Sequence, residues 1–276
     1  MKISNNTIWI TGGTSGIGLE LATQLLALGN TVIITGRDQP KLDRIKGEDP
    51  LLHVIQSDVN DPGAIASLYE RVSRGYPALN ILINNARVMR KINLQDKGCD
   101  LEDISREIET NLIGPVRMVK QFLPRLQAQT SAAIVNVSSG LAFTPFPISP
   151  IYGATKAGLH SFTQSLRVQL KNTSVKVFEP APPSTQTPLQ NGFDSSDTKG
   201  SPVMDVKKFV QQAITGIQKD HLEMLPGLSK VLRLVSRIAP GLAVKAASGP
   251  VDAMLSQTKL ERNRRMVTHN DRQKRT

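Results

Sequence analysis

The chain alternates, almost without pause, between short apolar runs rich in β-branched residues and longer stretches whose apolar positions recur at helical spacing. TIWIT (7–11) precedes IGLELATQLLALG, TVIIT (31–35) precedes QPKLDRIKG, and LLHVIQ (51–56) precedes PGAIASLYERV. LNILIN (79–84) leads into a helical pattern over 103–128, AAIVNVSS (132–139) into one over 151–171, and SVKVFEP (174–180) into one over 204–219. A strand with one face in water alternates apolar and polar residues. These runs are continuously apolar, as strands covered on both faces must be. Strand and helix in strict succession then dictate an α/β fold, a doubly wound parallel sheet of Rossmann type with helices on both faces, in a single domain over 1–250.

Two segments break the rhythm. Residues 180–203, rich in Pro, Ser and Asp, are too long for a plain connector and read either as a functional loop on the substrate side or as a disordered segment. Residues 222–248 carry an apolar pattern interrupted by Pro and Gly and punctuated by Lys230, Arg233 and Arg237. One reading is a helix closing the substrate side of the domain; the other is a helix lying on a membrane surface.

With 39% hydrophobic and 21% charged residues over 276 positions, the composition is that of a soluble globular protein. No run approaches the eighteen apolar residues a spanning helix needs, and the N-terminal stretch lacks the basic and apolar regions of a secretory signal. Cys99 is the one cysteine, which excludes an internal disulfide, suits a reducing compartment and leads us to expect a cytoplasmic protein. The Asn-x-Ser/Thr triplets at Asn5, Asn136 and Asn172 then read as chance. The formal net charge is +11, and residues 256–276 contribute seven Lys/Arg against two Asp/Glu. Residues 251–276 read as a basic, solvated tail; contact with nucleic acid or an anionic membrane surface is the weaker alternative.

The first strand runs directly into TGGTSGIG (11–18), with Gly12, Gly16 and Gly18 at a strand-to-helix turn. Glycines let backbone approach a pyrophosphate, and the helix start offers free N–H groups and the positive end of a dipole. A P-loop would need Lys-Ser/Thr after its last glycine; Leu19-Glu20 follow instead, which argues against ATP or GTP.

YGATK (152–156) places Tyr152 and Lys156 one helical turn apart on a common face. A cation beside a phenol stabilises the phenolate and draws its pKa toward neutrality, which suits Tyr152 to acid–base work on a carbonyl or alcohol oxygen. None of the four histidines makes a metal-ligand spacing with another or with Cys99, so no metal is expected. No Gly-x-Ser-x-Gly elbow follows a strand, which argues against a serine hydrolase.

TGGTSGIG resembles the TGxxxGxG signature of the short-chain dehydrogenases/reductases, and the resemblance extends over roughly residues 5–220. It implies a nicotinamide cofactor held by Thr11, Gly12, Thr14, Ser15, Gly16, Ile17 and Gly18, with the active site in the same domain. Ser139, thirteen residues before Tyr152, matches the family's serine that hydrogen-bonds the reacting oxygen; Ser138 fits that count less well. Asn111 in ETNLIGP matches the asparagine of the proton relay, and Lys156 the lysine that also holds the nicotinamide ribose. The implied catalytic set is therefore Asn111, Ser139, Tyr152 and Lys156, with Tyr152 and Lys156 also touching the cofactor. Asp58 and Val59 fall where the family contacts adenine.

The second strand ends TVIITGRD, with Gly36 and Arg37 in place of the carboxylate that binds the ribose hydroxyls of NAD. A glycine leaves room and a guanidinium pairs with a 2′-phosphate, so NADP(H) is favoured over NAD(H), with Asp38 nearby as the counter-indication. The expected activity is an NADP(H)-dependent alcohol dehydrogenase or carbonyl reductase.

ILINNARVMR (81–90) matches the family's Asn-Asn-Ala-Gly in Asn84, Asn85 and Ala86, of which Asn85 and Ala86 lie along the cofactor, but Arg87 replaces the glycine. That replacement puts a side chain where backbone approaches the dinucleotide, on a backbone that could be costly for any residue but glycine. The side chain either obstructs the cofactor or swings outward and adds positive charge near the phosphates; a substitution in the sequence itself is a third reading. If it obstructs, the chain is a catalytically impaired nucleotide-sensing or binding protein on the same fold. After the sixth strand, EPAPPSTQTP has Ala181 in place of the family's glycine after Pro180, and Thr185 or Thr187 is left to contact the carboxamide. SVKVFEPAPPSTQT and LRLVSRIAPG are similar to the DltE-like subgroup of bacterial oxidoreductases. Ala142, Phe143, Phe146 and residues 183–193 are the expected substrate-facing positions, which suggests an uncharged or lipophilic small-molecule carbonyl or alcohol. The resemblance also implies a homodimer or homotetramer.

Overall fold

The computed structural model describes residues 1–96, 100–194, 197, 202–252 and 254–256. Cys99, part of the 180–203 loop and the basic tail from 257 onward lie outside the described residues. The strands are β1 (Thr7–Thr11), β2 (Thr31–Gly36), β3 (His53–Gln56), β4 (Leu79–Asn84), β5 (Ala132–Asn136), β6 (Val175–Pro180) and β7 (Glu223–Met224). They form one seven-stranded sheet in the order β3-β2-β1-β4-β5-β6-β7, and every pairing is parallel. The chain winds outward from β1 in one direction to β3 and in the other to β7, so the order reverses between β1 and β4.

The continuous apolar runs divide by residue parity. Ile8, Ile10, Val32, Ile34, Ile81 and Ile83 face one core, which α1 (Gly16–Ala27), α2 (Gln39–Glu48) and α7 (Val206–Gln218) cover. Trp9, Ile33, Leu82 and Ile134 face the other, under α3 (Pro62–Gly75), α5 (Gly114–Gln127) and α6 (Pro150–Gln169). Successive strand side chains point to opposite faces, so a strand between two helical layers needs apolar residues at both parities. Aspartates start several helices: Asp38, Asp61 and Asp205 accept from the backbone N–H of Lys41, Gly63 and Lys208 at 3.0, 2.7 and 2.9 Å.

Three features depart from the sequence expectation. The helix expected over 103–128 is α4 (Leu101–Ile108), a π-helical turn at Glu109–Ile113 and then α5. The strand expected over 132–139 stops at Asn136, which frees residues 137–139 to enter the site. β7 is unanticipated, because two residues are too few to show a period. The 222–248 segment continues as α8 (Leu228–Ile238) and α9 (Pro240–Ala246). No described helix is long and apolar enough to cross a membrane.

Candidate active site

The reversal between β1 and β4 opens a crevice at the carboxyl ends of the strands, the place where open α/β sheets bind ligands. The two asparagines of NNAR build its floor. Asn85 Nδ2 donates to the carbonyls of Thr11 and Gly12 at 3.0 and 2.9 Å, and Thr11 Oγ1 accepts from the N–H groups of Asn85 and Ala86 at 3.0 and 3.1 Å. Asn84 Nδ2 donates to Asn136 Oδ1 at 2.9 Å, and Asn136 Nδ2 to Thr163 Oγ1 at 2.9 Å, which ties β4 to β5 and to α6. Asn136 is fully buried, so its triplet cannot serve as a glycosylation acceptor in the folded chain.

The glycine turn is held close to this floor. Gly12 has φ +64° and Gly16 φ +53°, and a Cβ on Gly18 would lie 2.2 Å from the Gly12 carbonyl oxygen and 2.4 Å from Asn85 Nδ2. Gly18 therefore serves helix-to-strand packing and lies behind the crevice wall. Ser15 begins α1 without a side-chain cap, so the first N–H groups of the helix keep no side-chain partner.

A cavity of about 200 Å³ lies over this turn, with Gly12, Thr14, Ser15 and Gly16 on one side and Arg37, Asp58 and Val59 on the other. Ala86 and Arg87 close its inner end and Asn85 contributes to its wall. Thr11 lies beneath as a hydrogen-bond acceptor. The Arg37 side chain is 57% exposed and stands 3.9 Å from Asp58, a loose pair in water. Asp38 does not border the cavity; it caps α2 and faces Lys41 at 3.5 Å. The room at Gly36 is taken up by Thr14, whose Cγ2 would lie 2.7 Å from a Cβ there.

A second cavity of about 310 Å³ adjoins the first, with Arg87, Thr187 and Leu189 common to both walls. Ser139 and Tyr152 present hydroxyls to a largely apolar wall that includes Phe146, Pro183, Phe193 and Leu232, with Thr144, Ser184, Thr187 and Gln190 among its polar members. Leu228 and Leu232 of α8 and Ala243 of α9 also line this cavity, so the 222–248 segment packs over it. Ile17 and Thr185 border this cavity; Thr185 Oγ1 donates to the Pro183 carbonyl at 2.8 Å. Pro180 borders neither cavity and is buried, its carbonyl accepting from Ser138 N–H at 2.9 Å. Ala142 and Phe143, expected to face substrate, also border neither. The Phe143 ring instead meets His160 edge-on at 4.9 Å and lies under the Arg233 guanidinium at 5.7 Å.

The four expected catalytic residues assemble around Tyr152, which is 4% exposed near the start of α6. Ser139 Oγ accepts from Leu141 N–H at 3.1 Å and borders the same cavity as the phenol, whereas Ser138 is sealed in the interior. Lys156 is buried; its Nζ donates to the Val137 carbonyl at 2.9 Å and lies 5.7 Å from the Tyr152 ring centre. Asn111 sits in the π-helical turn, accepts from Val88 N–H at 2.9 Å and donates to the Val88 carbonyl at 2.8 Å and to Thr155 Oγ1 at 3.2 Å. Thr155 in turn donates to the Tyr152 carbonyl at 2.8 Å. Asn111 and Lys156 thus stand behind the cavity wall and Ser139 and Tyr152 form it.

Burial pushes the Tyr152 phenol up, opposed by the Arg87 guanidinium and by the Ser139 hydroxyl, while Glu107 pushes it further up. Burial brings Lys156 down to about 7, with the Arg87 charge acting in the same direction and Glu179 opposing. The Arg87 charge thus acts on Tyr152, while Lys156, brought down to about 7 by its burial, keeps its Nζ 5.7 Å from the ring centre.

Arg87 is not among the residues with positive φ, which apart from glycine are Asn5 and Asp220 among those described, so its backbone is open to any residue. The expected backbone cost is absent. Its side chain does not swing outward. It turns into the crevice, and Nη1 donates to Asn85 Oδ1 at 2.8 Å and to the Asn85 carbonyl at 3.5 Å.

Behind the site, His160, Glu179 and Glu223 converge with their ligand atoms within 4.8 Å, a grouping invisible to sequence spacing. Arg167 pairs with Glu223 at 3.1 Å and with Glu179 at 3.7 Å, Arg233 pairs with Glu223, and His160 Nδ1 lies 2.9 Å from both Glu179 oxygens. Two guanidiniums already compensate both carboxylates, so the cluster is an ion-pair network joining α6, β6, β7 and α8.

Residues 6–198 match the family model described as short chain dehydrogenase. The chain is 44% identical over 226 residues to the uncharacterized oxidoreductase DltE of Bacillus subtilis, covering 81% of this chain and 89% of that one. A short-chain dehydrogenase from Sphingobium yanoikuyae, solved with NADPH, superposes with a TM-score of 0.73 at 28% identity, over 91% of this chain and 95% of that one. A short chain dehydrogenase/reductase from Burkholderia phymatum, solved with NAD, shares the fold with a TM-score of 0.75 at 19% identity, over 86% of this chain and 95% of that one.

Proposed function

The chain belongs to the short chain dehydrogenase family of oxidoreductases, which act on small molecules, and from that premise we propose that it is an NADP(H)-dependent carbonyl reductase or alcohol dehydrogenase. The observation that carries this reading is the pairing of cavities: a glycine-turn cavity at an uncapped helix start opens beside an apolar cavity in which Ser139 and Tyr152 present hydroxyls.

A nicotinamide dinucleotide fits the donor set at its phosphate end. The α1 N–H groups would receive the pyrophosphate, Asp58 and Val59 would border the adenine, and Asn85 and Ala86 line the path inward. Arg37, held only by a loose 3.9 Å pair with Asp58, can turn to a 2′-phosphate, and the carboxylate that would favour NAD is engaged elsewhere as the α2 cap. When bound, the nicotinamide supplies or accepts the hydride.

In the reducing direction Tyr152 gives its phenolic proton to the carbonyl oxygen as the hydride reaches carbon; in the oxidising direction the phenolate takes the alcohol proton. Ser139 donates to the same oxygen and holds it against Tyr152. Lys156 and Asn111, both linked to backbone behind the wall, position the proton path. The apolar wall receives a substrate with an apolar body, and exclusion of water there strengthens each of these interactions. A single domain over 1–250, a basic tail over 251–276, a dimeric or tetrameric assembly and a cytoplasmic location complete this reading.

A second reading, a catalytically impaired nucleotide-binding protein, is favoured by the inward Arg87 side chain at the junction of the cavities. Titration with NADPH and NADH, followed by nucleotide fluorescence, separates the two. Micromolar NADPH binding with carbonyl-dependent NADPH oxidation supports the reductase. Binding without turnover across aldehydes, ketones and oxo acids supports the sensor, and no binding until Arg87→Gly is introduced sinks the enzyme reading for this chain.

A further inference from the structure

Arg87 is the motif residue that the chemistry above leaves without a task. Its guanidinium is partly buried, and burial holds its pKa below the ordinary value. Among the described residues its hydrogen-bond and ion-pair partner is the neutral Asn85 alone. The other ionic groups bordering the two cavities differ. Asp197 is held by Lys91 at 2.9 and 3.0 Å, and Arg37 and Asp58 face each other in water. A partly buried guanidinium with one neutral residue as its partner leaves donors free toward the cavity, and the geometry of that fork matches a carboxylate.

Its position selects the source of the anion. Arg87 borders the apolar cavity together with Ser139 and Tyr152, and its charge acts directly on the Tyr152 phenol. A negative group seated on Arg87 shares this cavity with the oxygen proposed to sit on Tyr152 and Ser139, and a carboxylate next to the reacting carbonyl satisfies both. The rest of the ligand faces Phe146, Pro183, Phe193 and Leu232. We propose that Arg87 is a specificity-determining residue that seats the substrate carboxylate, and that the substrates are 2-oxo acids, or the corresponding 2-hydroxy acids, with an apolar tail. This rests on the oxidoreductase reading and deepens it: the apolar lining alone suggested an uncharged substrate, and the guanidinium adds an anionic end.

The test uses the full chain with 2-oxooctanoate and its methyl ester, which share the carbonyl and the tail and differ in the charge. The native protein is expected to favour the acid in kcat/KM by at least tenfold, and Arg87→Gly to lower that acid-to-ester ratio at least tenfold whatever happens to the absolute rates. Arg87→Lys, which keeps the charge and loses the fork, is expected to retain part of the ratio. Calorimetric titration of 2-oxooctanoate, in which Arg87→Gly is expected to weaken binding at least tenfold, reads the seat without turnover. Weakened acid binding with neither compound reduced would leave the seat standing and remove the oxidoreductase reading. An unchanged ratio and unchanged acid binding overturn the proposal. So does an Arg87→Gly effect confined to NADPH affinity: weaker binding assigns the anion to the nucleotide phosphates, and newly acquired binding makes Arg87 a plug.

Discussion

Arg87 Nη1 lies 2.8 Å from Asn85 Oδ1, so the arginine that interrupts the motif is held by the asparagine that precedes it. The same Asn85 amide donates to the Thr11 and Gly12 carbonyls, which joins the glycine turn, the strand end and the interrupting cation in one hydrogen-bonded unit. The cation then reaches Tyr152 and Lys156 through its field.

Lys156 has a folded-state value of about 7 against an ordinary 10.5. Between these values the unfolded chain holds a proton that the native chain has lost, so stability rises with pH across that window. Urea unfolding from pH 7 to 9 is expected to show this rise, and Lys156→Met to flatten it. Arg87→Gly removes the like charge and should raise the Lys156 value, moving the onset of the rise to higher pH.

Tyr152→Phe removes the proton donor and leaves the ring in place. Turnover is expected to fall by about 10² to 10⁴, while NADPH affinity measured by fluorescence stays within a few fold. A variant with undiminished turnover would remove Tyr152 from the role of acid and base.

Arg37→Ala probes cofactor choice. Loss of a charge-assisted contact to a 2′-phosphate costs about 1.5–3 kcal/mol, so NADPH binding should weaken by tenfold or more while NADH binding is unmoved. Equal losses for both nucleotides would mean that Arg37 does not read the phosphate.

Asn136→Ala breaks the chain that runs from Asn84 through Asn136 to Thr163, all of it buried. Stranding the Asn84 donor and the Thr163 acceptor is expected to destabilise by about 1–3 kcal/mol, read as a lower urea midpoint with an unchanged slope.

Much of this was legible in the residues. The continuous strands declared a sheet covered on both faces, and TGGTSGIG and YGATK marked its two functional ends. Of the four residues expected to catalyse, Ser139 and Tyr152 line one cavity, while Asn111 and Lys156 stand behind its wall, Asn111 reaching the Tyr152 backbone through Thr155. β7 and the ion-pair network of Glu179, Glu223, Arg167 and Arg233 were not legible, because they depend on which segments meet across β6 and α8. The inward misplacement of Phe143 as a substrate contact has the same origin: its direction follows from the 3₁₀ turn at Gly140–Ala142, not from its neighbours in sequence.

The sequence by itself determined the order of elements and named the residues proposed to react, because hydrophobic period, glycine placement and helical spacing are local properties. The tertiary structure decided what surrounds those groups. It showed that Asp38 caps a helix and leaves the cofactor cavity, that Lys156 is desolvated to about 7, and that Arg87 turns inward on an unstrained backbone. Burial, field and side-chain direction depend on atoms brought together from distant parts of the chain, and no local pattern encodes them.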